Sequence, residues 1–206
     1  MQIARLKKAS GSIRKLSPLI VYGALFAIAA YMFALGVLNR LGADPLDRLI
    51  DFYGEGALKL LVVILLISPL RKIGLDLVKF RRALGVMAFF YIAVHFMLWA
   101  GISQGFEPNN IIKEIIKRPF ITMGMVGMML ALPLAVTSNN FWVRKLNPKR
   151  WKRLHLLTYP LALLAGVHYL MVVKGWQPEP IIFLILISLL LLYRLFRYLK
   201  SKAIHA

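Results

Sequence analysis

Residues 83–101 read Ala-Leu-Gly-Val-Met-Ala-Phe-Phe-Tyr-Ile-Ala-Val-His-Phe-Met-Leu-Trp-Ala-Gly, an uncharged run holding a single histidine, His95, and preceded by Arg81-Arg82. At about 1.5 Å per residue, a helix of this length crosses about 30 Å of hydrocarbon, where a helix satisfies its own backbone without water. Comparable apolar runs occupy residues 17–38, 56–70, 119–138, 154–173 and 180–196. Six crossings in 206 residues predict an all-α polytopic membrane helix bundle, with residues 1–206 forming a single transmembrane domain. The composition agrees, at 60% hydrophobic with a mean hydropathy of +0.70. That exceeds what a soluble core can hide.

The connections alternate in charge. Arg5, Lys7, Lys8, Arg14 and Lys15 precede the first span, and Arg71, Lys72, Lys79, Arg81 and Arg82 join the second to the third. Arg144, Lys145, Lys149, Arg150, Lys152 and Arg153 join the fourth to the fifth, and Arg194, Arg197, Lys200 and Lys202 follow the sixth. Asp76 is the only acid among them, whereas Asp44, Asp47, Asp51, Glu55, Glu107, Glu114 and Glu179 fall in the other connections. By the positive-inside rule both termini are cytoplasmic and three short loops face outward. The net charge of +19 therefore points to the membrane and not to a nucleic acid. The first apolar run continues to Leu38, past the length of a signal core, and is expected to be a retained helix. Stretches between spans are too short for a nucleotide-binding domain, and Gly54-Glu55-Gly56 lacks the third glycine and the strand of a dinucleotide loop.

With no cysteine, any metal or cofactor falls to His, Met or carboxylate groups. His205 lies in the tail, which leaves His95, His155 and His168 as candidates, since ionisable groups within spans are costly and commonly functional. Thirteen residues separate Arg82 from His95, and thirteen separate His155 from His168. Each upper histidine thus lies about 20 Å above the basic boundary, and its helix runs in the same direction as the other's. Two imidazoles at matched depth are a means of holding a haem iron at both axial positions; hydrogen bonding to backbone or hydroxyl groups is the competing reading. His155 lies about 140° around an ideal helix from His168, a phase that a kink at Pro160 would alter. It has no histidine at matching depth on the third span, and reads either as a ligand of a second haem or as an interfacial side chain. Lys113, Lys117, Arg118 and Lys174 are the outer candidates for haem propionates. Met97 and Met171 read as packing residues, as do Gly124 and Gly127 within 123–129. Pro133 is expected to kink the fourth span. Trp99, Trp142, Trp151 and Trp176 read as interfacial anchors. The stretch Asp44–Glu55 reads as an acidic outer loop, either a partner contact or a solvated short helix.

Several motifs in order, Leu41-Gly42-Ala43-Asp44-Pro45, Gly56-Ala57-Leu58-Lys59, Ser68-Pro69-Leu70-Arg71, Arg81-Arg82-Ala83-Leu84-Gly85, Lys117-Arg118-Pro119-Phe120, Thr137-Ser138, Trp151-Lys152-Arg153-Leu154-His155 with Tyr159, and His168-Tyr169, resemble the MsrQ family. The resemblance covers residues 40–175 and places the chain in the ferric-reductase-like transmembrane superfamily. It implies a multi-pass subunit of the bacterial inner membrane carrying haem b, one or two, and FMN. It also implies transfer of electrons from the quinone pool, or from a cytoplasmic flavin reductase, to a periplasmic molybdopterin methionine sulfoxide reductase that repairs oxidised proteins. His95, His155 and His168 correspond to the family's haem-associated histidines, and Arg81/Arg82 stand where the superfamily has a further histidine. Other transmembrane haem oxidoreductases acting on metal ions or oxygen, a small transporter, and a haem-free scaffold are the alternatives.

Overall fold

The computed structural model describes residue 11, residues 15–173 and residues 177–204, and every regular element among them is helical. Arg5, Lys7, Lys8, Arg14, Lys174, Trp176 and His205 lie outside the described residues. The chain forms α1 (Pro18–Val37), α2 (Pro45–Lys72), a 3-10 turn and α3 (Arg81–Met97), a π-helical turn (Leu98–Ser103) and α4 (Pro108–Lys117). It continues through α5 (Pro119–Val136), α6 (Asn140–Leu154), a 3-10 turn (His155–Leu157), α7 (Thr158–Val172) and α8 (Pro178–Ile204). Five of these helices open on proline, whose fixed φ suits a first turn and whose missing N–H would lack a partner there anyway.

Five helical stretches are long and apolar enough to cross a membrane: Pro18–Val37, Val78–Ser103, Pro119–Val136, Asn140–Val172 and Pro178–Ala203. The sixth expected span, 56–70, lies within α2, which is 28 residues long but begins with charged turns. Asp47, Asp51, Glu55 and Lys59 follow one another at intervals of four, on one face. The expected acidic loop is thus the beginning of α2, favoured as helix by Pro45 and by acidic side chains at the positive end of the helix dipole. This helix can carry charge because Asp47, Arg48, Asp51 and Lys59 stand on its exposed face while its apolar faces pack on protein. It packs against α1, α3, α7 and α8, and Leu49, Tyr53, Ala57, Leu58, Leu61, Leu65 and Ile67 are among its buried residues.

Buried hydroxyls tie the first helix to this centre. Tyr53 donates to the Ala29 carbonyl at 2.8 Å and Tyr91 to the Leu25 carbonyl at 3.0 Å. Gly56 lets the Tyr91 ring lie on α2, where a Cβ would stand 2.6 Å from it. Pro160 occupies the first turn of α7, where its absent N–H breaks no helical bond. The 3-10 turn before it marks the change of helical phase after His155. Two connections also hold more structure than loops. The outer 102–118 segment contains the amphipathic α4, and the basic connection contains α6, bent at Asn147, where φ is 56°.

Candidate functional site

His95 near the end of α3 and His168 near the end of α7 bring their rings together, with centroids 6.3 Å apart and planes at 90°. Both line a cavity of about 1100 Å³ walled by α2, α3, α5 and α7, together with Trp99 and Met171. Each ring is fixed by its Nδ1. His95 Nδ1–H donates to the Ile50 carbonyl of α2 at 2.8 Å, and His168 Nδ1–H to the Phe120 carbonyl of α5 at 2.7 Å. A carbonyl only accepts, so Nδ1 carries the proton and Nε2 keeps its lone pair, the state a metal-ligating histidine requires.

The same local device serves both rings. A helical side chain leans toward the N-terminus and covers the carbonyl four residues back, one of the last atoms a neighbour can reach. Four residues after Ile50 comes Gly54, and four after Phe120 comes Gly124. A Cβ on Gly54 would stand 2.9 Å from His95 Nδ1, and one on Gly124 would stand 3.0 Å from His168 Cε1. Gly127 differs, since its Cβ would make an ordinary 3.7 Å contact with Leu161. Of the two glycines first read as helix packing, one packs helices and the other seats a ring.

Among the described residues no three His, Cys, Asp or Glu side chains converge as they would on a bare ion. Two facing imidazoles can instead complete a metal that brings its own equatorial ligands, as haem iron does. Two metal–imidazole bonds of about 2.0 Å, each extended by roughly 1 Å to a ring centre, require centroids about 6 Å apart, as found here. The donor set, the free Nε2 atoms and the cavity therefore fit a bis-imidazole haem.

The mouth of the cavity is strongly charged. Asp47, Asp51, Glu55, Glu114 and Glu179 line it together with Arg48 and Arg118. Arg118 pairs with Glu114 at 2.6 Å, Lys59 pairs with Glu55 at 2.7 Å and with Glu179 at 3.7 Å, and Tyr169 donates to Glu55 at 3.2 Å. Arg48 forms no ion pair among the described residues and presents the free cation there. It is not among the outer cations that the sequence singled out for haem propionates. Ahead of the apolar 56–70 span, burial and the neighbouring Glu55 and Asp47 charges push the Asp51 carboxyl above the ordinary carboxylate range.

His155 sits apart and does not line this cavity. The Thr137 hydroxyl spends its one proton on the Pro133 carbonyl at 2.6 Å, so the 3.1 Å contact between Thr137 Oγ1 and His155 Nε2 needs a proton on Nε2. The ring stacks on Trp151 at 3.9 Å, and Trp151 Nε1–H donates to the Thr137 carbonyl at 2.8 Å. Trp151 is therefore a structural partner of His155 as well as an aromatic near a span end. Met97 is 53% exposed, in keeping with a side chain outside the site.

Residues 53–166, which include His95 and His155 and end just before His168, match the ferric reductase like transmembrane component family. Proteins of Brucella ovis, Brucella canis and Brucella suis, each named as the heme-binding subunit MsrQ of a protein-methionine-sulfoxide reductase, are 43% identical to this chain over 185 residues. That is 89% of this chain and 84% of each relative. The chain belongs to the MsrQ family. Within this MsrQ chain the family match begins at Tyr53, beside Gly54, and so takes in most of the central helix, α3, α5 and the beginning of α7. It therefore covers Gly54, His95 and Gly124, while His168 falls within the longer likeness to the whole MsrQ relatives.

Proposed function

We propose that this chain is a haem b electron-transfer subunit of the bacterial inner membrane, serving a periplasmic molybdopterin methionine sulfoxide reductase. The observation that carries the reading is the His95–His168 pair, whose rings lie 6.3 Å apart with both Nδ1 atoms tied to helix carbonyls. The names of the MsrQ relatives support the haem and the sulfoxide reductase partner. A haem held there supplies one-electron carriage between the two faces. His95 and His168 would hold it through their Nε2 atoms, Ile50 and Phe120 orient those rings, and Arg48 and Arg118 would offer cations to its carboxylates. His155, with Nε2 committed to Thr137, is a positioning residue on the entry side and not a ligand of a second haem. Electrons enter from the quinone pool or a cytoplasmic flavin reductase at the basic face. The whole chain acts as one transmembrane domain.

The test is reconstitution of the purified protein in liposomes with a quinol on one side and the molybdenum reductase with methionine sulfoxide on the other. Haem absorbance should show reduction by quinol, or by NADH with a flavin reductase, and reoxidation only when the partner and sulfoxide are both present. Absence of reduction by either donor, or reoxidation indifferent to the partner, contradicts the proposal.

A further inference from the structure

About 21 Å along α2 from Gly54, at the basic end of the bundle, Ser68, Arg71, Lys72, Val78 and Arg81 line a second cavity of about 380 Å³. Two guanidinium groups meet there. Arg81 Nη2 donates to Ser68 Oγ at 3.0 Å, and Arg194 of α8 reaches the same hydroxyl at 3.4 Å. Arg194 also donates to the Leu65 carbonyl at 2.8 Å and to the Tyr159 hydroxyl at 2.9 Å, with its guanidinium over the Tyr159 ring. Its Nε is buried and has no acceptor.

Every oxygen holding these guanidiniums is neutral. The ion pairs among the described residues are Lys59 with Glu55 and Glu179 and Arg118 with Glu114, all at the far end of the bundle. None reaches Arg71, Lys72, Arg81 or Arg194. Asp76, the acid of this connection, accepts from the Val78 backbone N–H. Four cations therefore gather from α2, α3 and α8, none of them in an ion pair among the described residues, where the helices leave the apolar layer. Guanidinium forks match tetrahedral oxyanions, and basic pockets between transmembrane helices at this level suit phosphate head groups.

We propose that this cavity binds a phosphate group, held by Arg81 and Arg71 with Lys72 and oriented by Ser68 and Arg194. The group belongs either to an anionic phospholipid or to a soluble phosphate compound reaching the cytoplasmic face. The site is independent of haem ligation, and the haem absorbance serves only to report folding.

The test uses the full chain in nanodiscs of phosphatidylcholine alone, of phosphatidylcholine with phosphatidylglycerol, and of phosphatidylcholine titrated with inorganic phosphate against chloride at equal ionic strength. The readout is the unfolding temperature. Phosphatidylglycerol or phosphate should raise it in a saturable way, with an apparent affinity about tenfold weaker in Arg81→Gln/Arg194→Gln and in Arg71→Gln/Lys72→Gln, and with haem absorbance unchanged. A response to phosphatidylglycerol alone assigns a lipid, and a response to phosphate assigns a soluble ligand. Should the first variant fail to fold, the second decides, since the Arg71 and Lys72 side chains are exposed and make no side-chain hydrogen bond or ion pair among the described residues. Stabilisation no greater than that of chloride, or variants responding as the parent does, overturns the proposal.

Discussion

The histidines at the two ends of the bundle are the same residue in opposite chemical states. At the acidic end, His95 and His168 give their Nδ1 protons to carbonyls and keep Nε2 as a donor atom. At the basic end, His155 must give its Nε2 proton to Thr137, and its ring is covered by Trp151. On the proposed reading, what separates a haem ligand from His155 is which nitrogen the surroundings hold, and the surroundings differ by a glycine four residues beyond a carbonyl against a threonine whose own proton is already used.

The largest break in that comparison is removal of a ring. His95→Ala and His168→Ala should each lose nearly all haem while still inserting in the membrane, whereas His155→Ala should keep its haem and slow electron entry; absorbance per polypeptide and donor-driven reduction rates check both. Next come the glycines. Gly54→Ala and Gly124→Ala crowd the rings and should weaken haem affinity by about 10–100-fold, the range for disturbed outer-shell partners, while Gly127→Ala should leave it alone. Haem titration of the three apoproteins distinguishes a ring seat from helix packing. Smaller still, Thr137→Val strands the His155 Nε2–H and should cost about 1–3 kcal/mol of stability with an unchanged haem spectrum. Tyr53→Phe, which only releases the Ala29 carbonyl, should cost about 1 kcal/mol in denaturant unfolding.

The helix-bundle architecture was legible in the sequence because crossing a bilayer demands long apolar runs, and Leu, Ile, Val and Phe supply them in five stretches. The sixth was legible only in part. Residues 56–70 marked its apolar half, but its charged first turns read as a loop, because hydropathy cannot tell the exposed, charged turns of a helix from a solvated loop. The depth match of His95 and His168 followed from counting, since rise per residue is fixed. Their carbonyl partners did not, because Ile50 and Phe120 lie 45 and 48 residues away and nothing in a single chain shows which face of α2 or α5 turns toward a ring. Gly54 illustrates the loss. Judged against a dinucleotide loop it had no role, yet Gly54 and Gly56 each admit an aromatic ring to α2. A usable signal existed in the equal offset of Ile50–Gly54 and Phe120–Gly124 near the outward ends of their spans. The phase of His155 was assigned to Pro160, but a proline in a first turn leaves the ladder intact, and the 3-10 turn before it changes the phase instead.

The most direct test of the central claim is a pyridine haemochrome count on the purified protein, joined to its low-temperature electron paramagnetic resonance spectrum. The account predicts one haem b per polypeptide with a low-spin bis-imidazole signal. Two haems per polypeptide, or a folded protein that takes up no added haem, would contradict it.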